Sequence, residues 1–324
     1  MTKDTRSDSP WAGAKPRTER PSRRERERLA QAVQRRPPSP SGAGDERRPP
    51  RGEAPRERGG TRPPAAADGA PTASREATSR EQRLYGLNAC LAAFARRPDA
   101  LRKVYLVEAR IGALKAVLAW CVQRRIGYRV VASEDLDRLT ASRHHEGVCF
   151  DLLRPEPLAL SALLDMQPSA PAASLLLWLD GVGNPHNLGA LLRSAAHFGV
   201  GGVIVPAQAG LDVSGAAARV AEGAAEIVPL VQADDPRLAL RELHARGYAL
   251  AATVPRDGTP LFATTLPRRL VLVLGAEGEG MSDAMIGAAD LRLTIPGSGA
   301  IESLNVAASV AVLLGEYWRQ SHPG

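Results

Sequence analysis

From Ser174 onward the chain alternates near-continuous apolar runs with amphipathic stretches. The runs at 174–182 (SLLLWLDGV), 201–206 (GGVIVP), 226–231 (EIVPLV), 248–254 (YALAATV), 269–275 (RLVLVLG) and 291–296 (LRLTIP) predict strands. Apolar runs without a polar face mark strands covered on both sides, so this region is expected to be α/β with a mostly parallel sheet between helices. The last segment, 303–320, predicts a long helix with an apolar face.

Upstream the pattern is shorter and mixed. Residues 84–96 (LYGLNACLAAFAR) predict a helix, 103–109 a strand, 113–125 an amphipathic helix, 128–132 a strand and 147–153 another strand. The segment SEDLDRL at 133–139 opens with Ser and acidic residues suited to a helix N-terminus. Together these make a small α/β unit over 84–155. The four prolines at 155, 157, 168 and 171 leave 156–173 as a linker with room for one short helix.

Charge separates the chain further. Residues 1–83 hold 20 Lys/Arg, 12 Asp/Glu, 12 prolines and one aromatic, Trp11. That is too little apolar surface to offset the entropy of ordering, so a disordered basic tail is expected. Within it, 20–36 carries interleaved Arg and Glu at spacings that would support a short helix on a polyanion. Residues 84–155 carry 12 basic and 7 acidic groups, whereas 156–324 carry 10 and 16. A basic tail joined to a basic first domain points to nucleic acid as a partner, since no amphipathic apolar face accompanies the charge to suit a membrane. The cysteines, Cys90, Cys121 and Cys149, are odd in number and lack metal-ligand spacing. They argue against a disulfide framework and point to no metal, which suits a cytoplasmic protein. No apolar run is long enough to span a bilayer.

Three segments beside predicted strand or helix ends carry candidate chemistry, where open α/β sheets place ligands. In 179–203, Asn187 sits near a helix start, where it could act as an ordinary cap. Arg193 follows six residues later, close to the apolar face, where a guanidinium wants an anionic partner such as an RNA phosphate. In 270–282, a strand runs into GAEGEG, whose spacing does not fit a dinucleotide fingerprint and whose Glu277 and Glu279 would repel a pyrophosphate. A nucleotide-dependent oxidoreductase is thereby excluded. Carboxylates and exposed amides suit a ligand with hydroxyls and a positive centre. In 293–318, Pro296 ends a strand and a loop leads to Ser303, Leu304 and Asn305. Ser303 could cap the final helix; no serine-hydrolase motif accompanies it.

Taken in order, the three segments resemble the signature motifs of the SpoU/TrmH family. The first pairs Asn187 with Arg193, the second carries Gly275, Glu277 and Gly280, and the third reads Ile295, Pro296, Gly299, Ser303, Leu304, Asn305 and Val306. The resemblance spans about 84–320. Asn184 precedes Pro185 where the family usually has Asp, and Gly297 stands where Met is common. The NPHN and HHEGVCF spellings, with the basic tail, are most similar to a poorly characterised branch of that family.

The resemblance implies transfer of a methyl group from S-adenosylmethionine to a ribose 2′-hydroxyl of rRNA or tRNA. It implies a trefoil-knotted domain over 174–324, preceded over 84–155 by a small ribosomal-protein-like RNA-binding domain. Thr253, Gly275, Glu277, Gly280, Ile295, Pro296, Ser303 and Leu304 would hold the cofactor. Arg193, Asn187, Glu277, Ser303 and Asn305 would carry catalysis, and a homodimer would complete each site through the last helix. The competing reading is a non-catalytic RNA-binding assembly factor that keeps the fold.

Overall fold

A computed structural model describes residues 81–276 and 280–322. Along the chain, β1 (Glu81–Tyr85), α1 (Leu87–Arg96), β2 (Leu101–Leu106), α2 (Lys115–Arg124), β3 (Gly127–Val130), α3 (Ser133–Thr140) and β4 (Val148–Leu153) form the first layer. Its four-stranded sheet runs β1-β4-β2-β3. β4 pairs antiparallel with β1 and β2, and β2 pairs parallel with β3. Leu101, Leu106 and Phe150 are fully buried beneath α1 and α2, together with Cys121 of α2.

β1 corrects the sequence reading. Residues 81–83 were expected in the tail and Leu84 at a helix start, yet all belong to a strand in register with β4, from Glu81 opposite Leu153 to Tyr85 opposite Cys149. Two apolar residues fit either period, and the decisive term is pairing with a strand more than sixty residues away. Gly86, at φ +94°, makes the turn into α1. A Cβ on it would lie 2.7 Å from Cγ of Arg219, so glycine also permits close approach of the following domain.

The second layer begins after α4 (Leu160–Asp165), the short helix expected in the linker. It comprises β5 (Ser174–Asp180), α5 (Pro185–His197), β6 (Gly202–Pro206), α6 (Gly215–Ala221), β7 (Leu230–Ala233), α7 (Pro236–Ala245), β8 (Ala249–Thr253), β9 (Thr259–Pro260), β10 (Arg269–Gly275), α8 (Asp283–Ala288), β11 (Leu291–Thr294) and α9 (Val306–Ser321). The seven strands lie in the order β7-β6-β5-β10-β8-β11-β9, and every neighbouring pair is parallel.

Strand periodicity explains why the apolar runs are unbroken. Leu175, Leu177 and Leu179 of β5 face a core shared with α5 and α9, while Leu176 and Trp178 face one shared with α4 and α7. Alternate residues enter opposite cores, so polar positions have nowhere to point. The strand expected over 226–231 starts later. Residues 224–226 form a 3-10 turn, in which Glu226 meets Arg97 in two hydrogen bonds of 2.8 Å, and β7 begins at Leu230, where it pairs with Val203 of β6. Ala218 of α6 joins the core of the first layer, so the two layers share apolar packing as well as this ion pair. Among the described residues, no helix is long and apolar enough to cross a membrane.

Candidate active site

β5 and β10 lie side by side, yet the chain leaves β5 toward β6 on one side and leaves β10 toward β11 on the other. Parallel strands whose connections diverge open a crevice at their carboxyl ends, the usual ligand position in an open α/β sheet. Asp180 and Gly275, the last residues of the two strands, stand in register there.

The crevice walls are fixed by close backbone approaches. Gly181, at φ +89°, lets the loop after β5 pass beside Ala276, whose Cβ would be 3.1 Å from a Cβ added at Gly181. Ala276 and Gly280 exchange two backbone hydrogen bonds, of 2.8 and 3.0 Å, which hold these two residues beside each other after β10. A Cβ on Gly275 would lie 2.5 Å from the carbonyl carbon of Gly280 and 2.6 Å from the amide nitrogen of Met281, so this position requires glycine. Asp180 ties the two loops together: its Oδ2 accepts the Ser282 amide hydrogen at 2.7 Å. Ser282 in turn caps α8 through the Met285 amide. Glu277, assigned to both catalysis and cofactor binding from the sequence, lies outside the described residues, as does Glu279.

The first and third motifs also meet. α5 begins at Pro185 and is capped by Asn184, whose side chain accepts the His186 amide at 2.9 Å; α9 begins at Val306 and is capped by Asn305, which accepts the Ala307 amide at 2.9 Å. The capping roles that sequence allowed to Asn187 and Ser303 therefore fall to their neighbours. Asn187 sits in the first turn of α5, and its Oδ1 accepts from Nδ2 of Asn305 at 3.2 Å. One asparagine side chain thus both starts a helix and binds the other motif.

Around this pair the remaining candidates differ in setting. Ser303, Leu304 and Pro296 are exposed, and Ile295 is half-buried against the main core. Ile301 and Leu304, on either side of Ser303, present apolar side chains that are 71% and 43% exposed. Gly299 takes φ +77° within this loop. Thr253, at the end of β8, donates its hydroxyl to the Val273 carbonyl at 2.9 Å, leaving its backbone at the carboxyl edge of the sheet.

Arg193 is placed apart. Six helical residues separate it from Asn187, about 9 Å along the axis and about 120° around it, so the two side chains leave α5 on different faces. Where sequence put Arg193 close to the apolar face, the side chain is 60% exposed, and its Nη1 lies 3.0 Å from Oε1 of Glu222. The anionic partner that sequence asked for is present, but it is a carboxylate of the same chain.

The cysteines take no part. All three are free and buried, and burial raises each thiol's pKa, that of Cys149 to about 12. Such thiols are not nucleophiles at neutral pH. Sequence reasoning overlooked Asp180, Gly189 and Glu222. Asp180 carried a signal, being the polar residue that closes an apolar run; Glu222 carried none, since its partner comes from another helix.

Residues 174–315 match the family described as the SpoU rRNA Methylase family, and residues 83–158 match that described as RNA 2'-O ribose methyltransferase substrate binding. An uncharacterized tRNA/rRNA methyltransferase of Escherichia coli O157:H7, YfiF, is 39% identical over 251 residues, which cover 78% of this chain and 72% of that protein. The chain belongs to the SpoU rRNA methylase family. Another SpoU relative, the 23S rRNA (guanosine-2'-O-)-methyltransferase RlmB of Nitrosomonas europaea, is 35% identical over 240 residues, 74% of this chain and 92% of its own. Among solved structures, the SpoU methyltransferase AviRb from Streptomyces viridochromogenes, in complex with AdoMet, matches with a TM-score of 0.62 at 22% identity, covering 76% of this chain and 92% of AviRb. An RNA 2'-O ribose methyltransferase structure matches with the same TM-score at 25% identity, covering 76% and 91%. The parallel α/β sheet described above is therefore the SpoU methyltransferase fold.

Proposed function

We propose that this chain transfers a methyl group from S-adenosylmethionine to a ribose 2′-hydroxyl of structured RNA, rRNA or tRNA. The observation that carries this reading is a pair of hydrogen bonds that joins the three motifs: Asp180 to Ser282 between the first and second, and Asn187 to Asn305 between the first and third.

The residues at the crevice fit the cofactor. Gly275 lies so close to the backbone of Gly280 and Met281 that a Cβ has no room, so main-chain groups line this edge of the crevice, as suits a ligand rich in hydroxyls and amines. The exposed Ile301 and Leu304 offer apolar contact for a flat purine. Gly275, Gly280, Thr253, Ile295, Pro296, Ser303 and Leu304 would hold it, with Glu277 in the same loop. When bound, it supplies a methyl group made electrophilic by a sulfonium.

What the protein's own residues must do follows from the reaction. A ribose hydroxyl has to be aligned, its proton removed and the developing alkoxide stabilised. A guanidinium stays protonated in proteins and is a poor base, so Arg193 clamps the adjoining phosphate and stabilises negative charge while Ser303 or water relays the proton to solvent. Asn187 and Asn305, already bonded to each other, orient Ser303, which lies two residues before Asn305.

The rest of the reading rests on the family resemblance. The 174–324 domain carries the trefoil knot, and a cytoplasmic homodimer completes each site, which accounts for Arg193 lying away from the asparagine pair of its own chain. Residues 84–155 act as a ribosomal-protein-like RNA-binding domain, 156–173 as linker and 1–83 as a basic tail that counts phosphates. Isothermal titration of the purified full chain with S-adenosylmethionine tests the enzyme reading against a non-catalytic assembly factor. Saturable binding is expected; absence of binding favours the assembly factor.

A further inference from the structure

Glu222 occupies a position that helix physics would give to another residue. It follows the last residue of α6 with φ +48°, in the left-handed region, and Gly223 follows it at φ +94°. A helix commonly ends on glycine in that conformation, because a Cβ there is strained. Nothing in the apolar packing calls for Glu222, whose side chain is 44% exposed. Its ion pair with Arg193, itself 60% exposed, is of a kind that adds little stability. Arg125 and Ala141 end α2 and α3 in the same conformation, so the backbone alone assigns nothing; what sets Glu222 apart is that its carboxylate is held from both sides.

Its surroundings are built to hold it. Gly189 and Arg193 are four residues apart and share a face of α5. A Cβ on Gly189 would lie 2.5 Å from the Ala217 carbonyl oxygen and 2.7 Å from Cβ of Val220, so glycine at 189 lets α5 and α6 touch backbone to side chain. That contact sets the end of α6 within reach of Arg193. From the other side, Nδ2 of Asn88, in the first turn of α1, donates to Oε2 of Glu222 at 3.4 Å. The two carboxylate oxygens thus face different layers: Oε1 takes the guanidinium and Oε2 takes the small domain. A guanidinium has five donors in a planar fork; held at Nη1, it still presents further N–H groups to an anion.

We propose that Glu222 is a positioning residue, which fixes the guanidinium of Arg193 at the seam between the catalytic and RNA-binding layers so that it meets the RNA phosphate already oriented. This inference rests on the reading of Arg193 as the residue that stabilises charge on the substrate. It assigns to α1 a share in catalysis, through Asn88 and Glu222, that contact with RNA alone would not give it.

The test compares Glu222→Gly, Glu222→Gln and Arg193→Ala with the parent chain. Each is assayed with S-adenosylmethionine and with rRNA plus tRNA extracted from cells that lack the protein. Glycine relieves the left-handed strain and removes the carboxylate, so Glu222→Gly is expected to melt at the same temperature or higher while kcat falls about tenfold. Affinity for S-adenosylmethionine stays the same. Glutamine keeps an oxygen for Nη1, so Glu222→Gln recovers most of kcat. Parent-like kcat in Glu222→Gly, or a rate in Glu222→Gln no better than in Glu222→Gly, overturns the inference. A rise in kcat also overturns it, since Glu222 would then be a competitor of the phosphate. Full turnover by Arg193→Ala instead removes the reading underneath, and the inference with it.

Discussion

Asp180 is a single side chain on which two loops depend. Its carboxylate accepts the Ser282 amide hydrogen at 2.7 Å, next to a Gly275 that has no room for a Cβ. Asp180→Ala leaves that amide to water and loosens the loop that follows β10. We expect affinity for S-adenosylmethionine to fall about tenfold or more with the melting temperature little changed, as loss of a supporting contact does elsewhere. Titration calorimetry checks this, and parent-like affinity would remove Asp180 from the site. The residue scale is also where sequence was least informative. Asn187 and Ser303 each read as a cap in the sequence, whereas the caps are Asn184 and Asn305, and Asn187 instead accepts from Asn305 at 3.2 Å.

Among the elements, α9 ties its carboxyl end to the body through Glu316. This buried carboxylate accepts from Arg319 at 2.7 and 2.9 Å and from Gln320 at 2.7 Å, and Gln320 also donates to the Thr264 carbonyl. The hydrogen bonds from Arg319, then those from Gln320, lower its pKa from 4.5 to about 2. A depressed carboxylate contributes stability that is complete above the unfolded pKa and is lost as pH falls through the folded one. Denaturant melts should therefore show the parent's advantage over Glu316→Gln shrinking between pH 4.5 and about 2, and constant above that window. An advantage that does not change with pH would contradict the assignment.

The elements also show what periodicity can carry. Every buried strand of the large sheet was legible because its residues enter two cores alternately, and β10 was read at its full length of 269–275. β1 was misread because five residues give too few periods to tell strand from helix, and Leu84 and Tyr85 suit both. Glu226, read as the start of β7, instead pairs with Arg97, 129 residues away in sequence, a contact that no local pattern contains. The two-residue β9 is too short to leave a pattern at all.

At the scale of the whole molecule, the two layers are joined where Ala218 enters the core of the first and Arg97 bonds to Glu226. The Arg97 and Glu226 side chains are 17% and 13% exposed, so this pair is largely shielded from solvent. Arg97→Ala would leave a carboxylate without its partner in that setting, at a cost of about 2 to 3 kcal/mol. We expect a single cooperative thermal transition in the parent and an earlier, broadened one in the variant. An unchanged transition would mean that the interface owes its stability to apolar contact alone.

Methyl transfer to a ribose hydroxyl through Arg193 is tested best on the product. Unmethylated rRNA and tRNA from cells lacking the protein are incubated with the full chain and methyl-labelled S-adenosylmethionine, then digested to nucleosides. Label is expected in a 2′-O-methylated nucleoside, and is absent when Arg193→Ala replaces the parent although the variant still binds S-adenosylmethionine. Label on a base, or undiminished ribose methylation by Arg193→Ala, would contradict it.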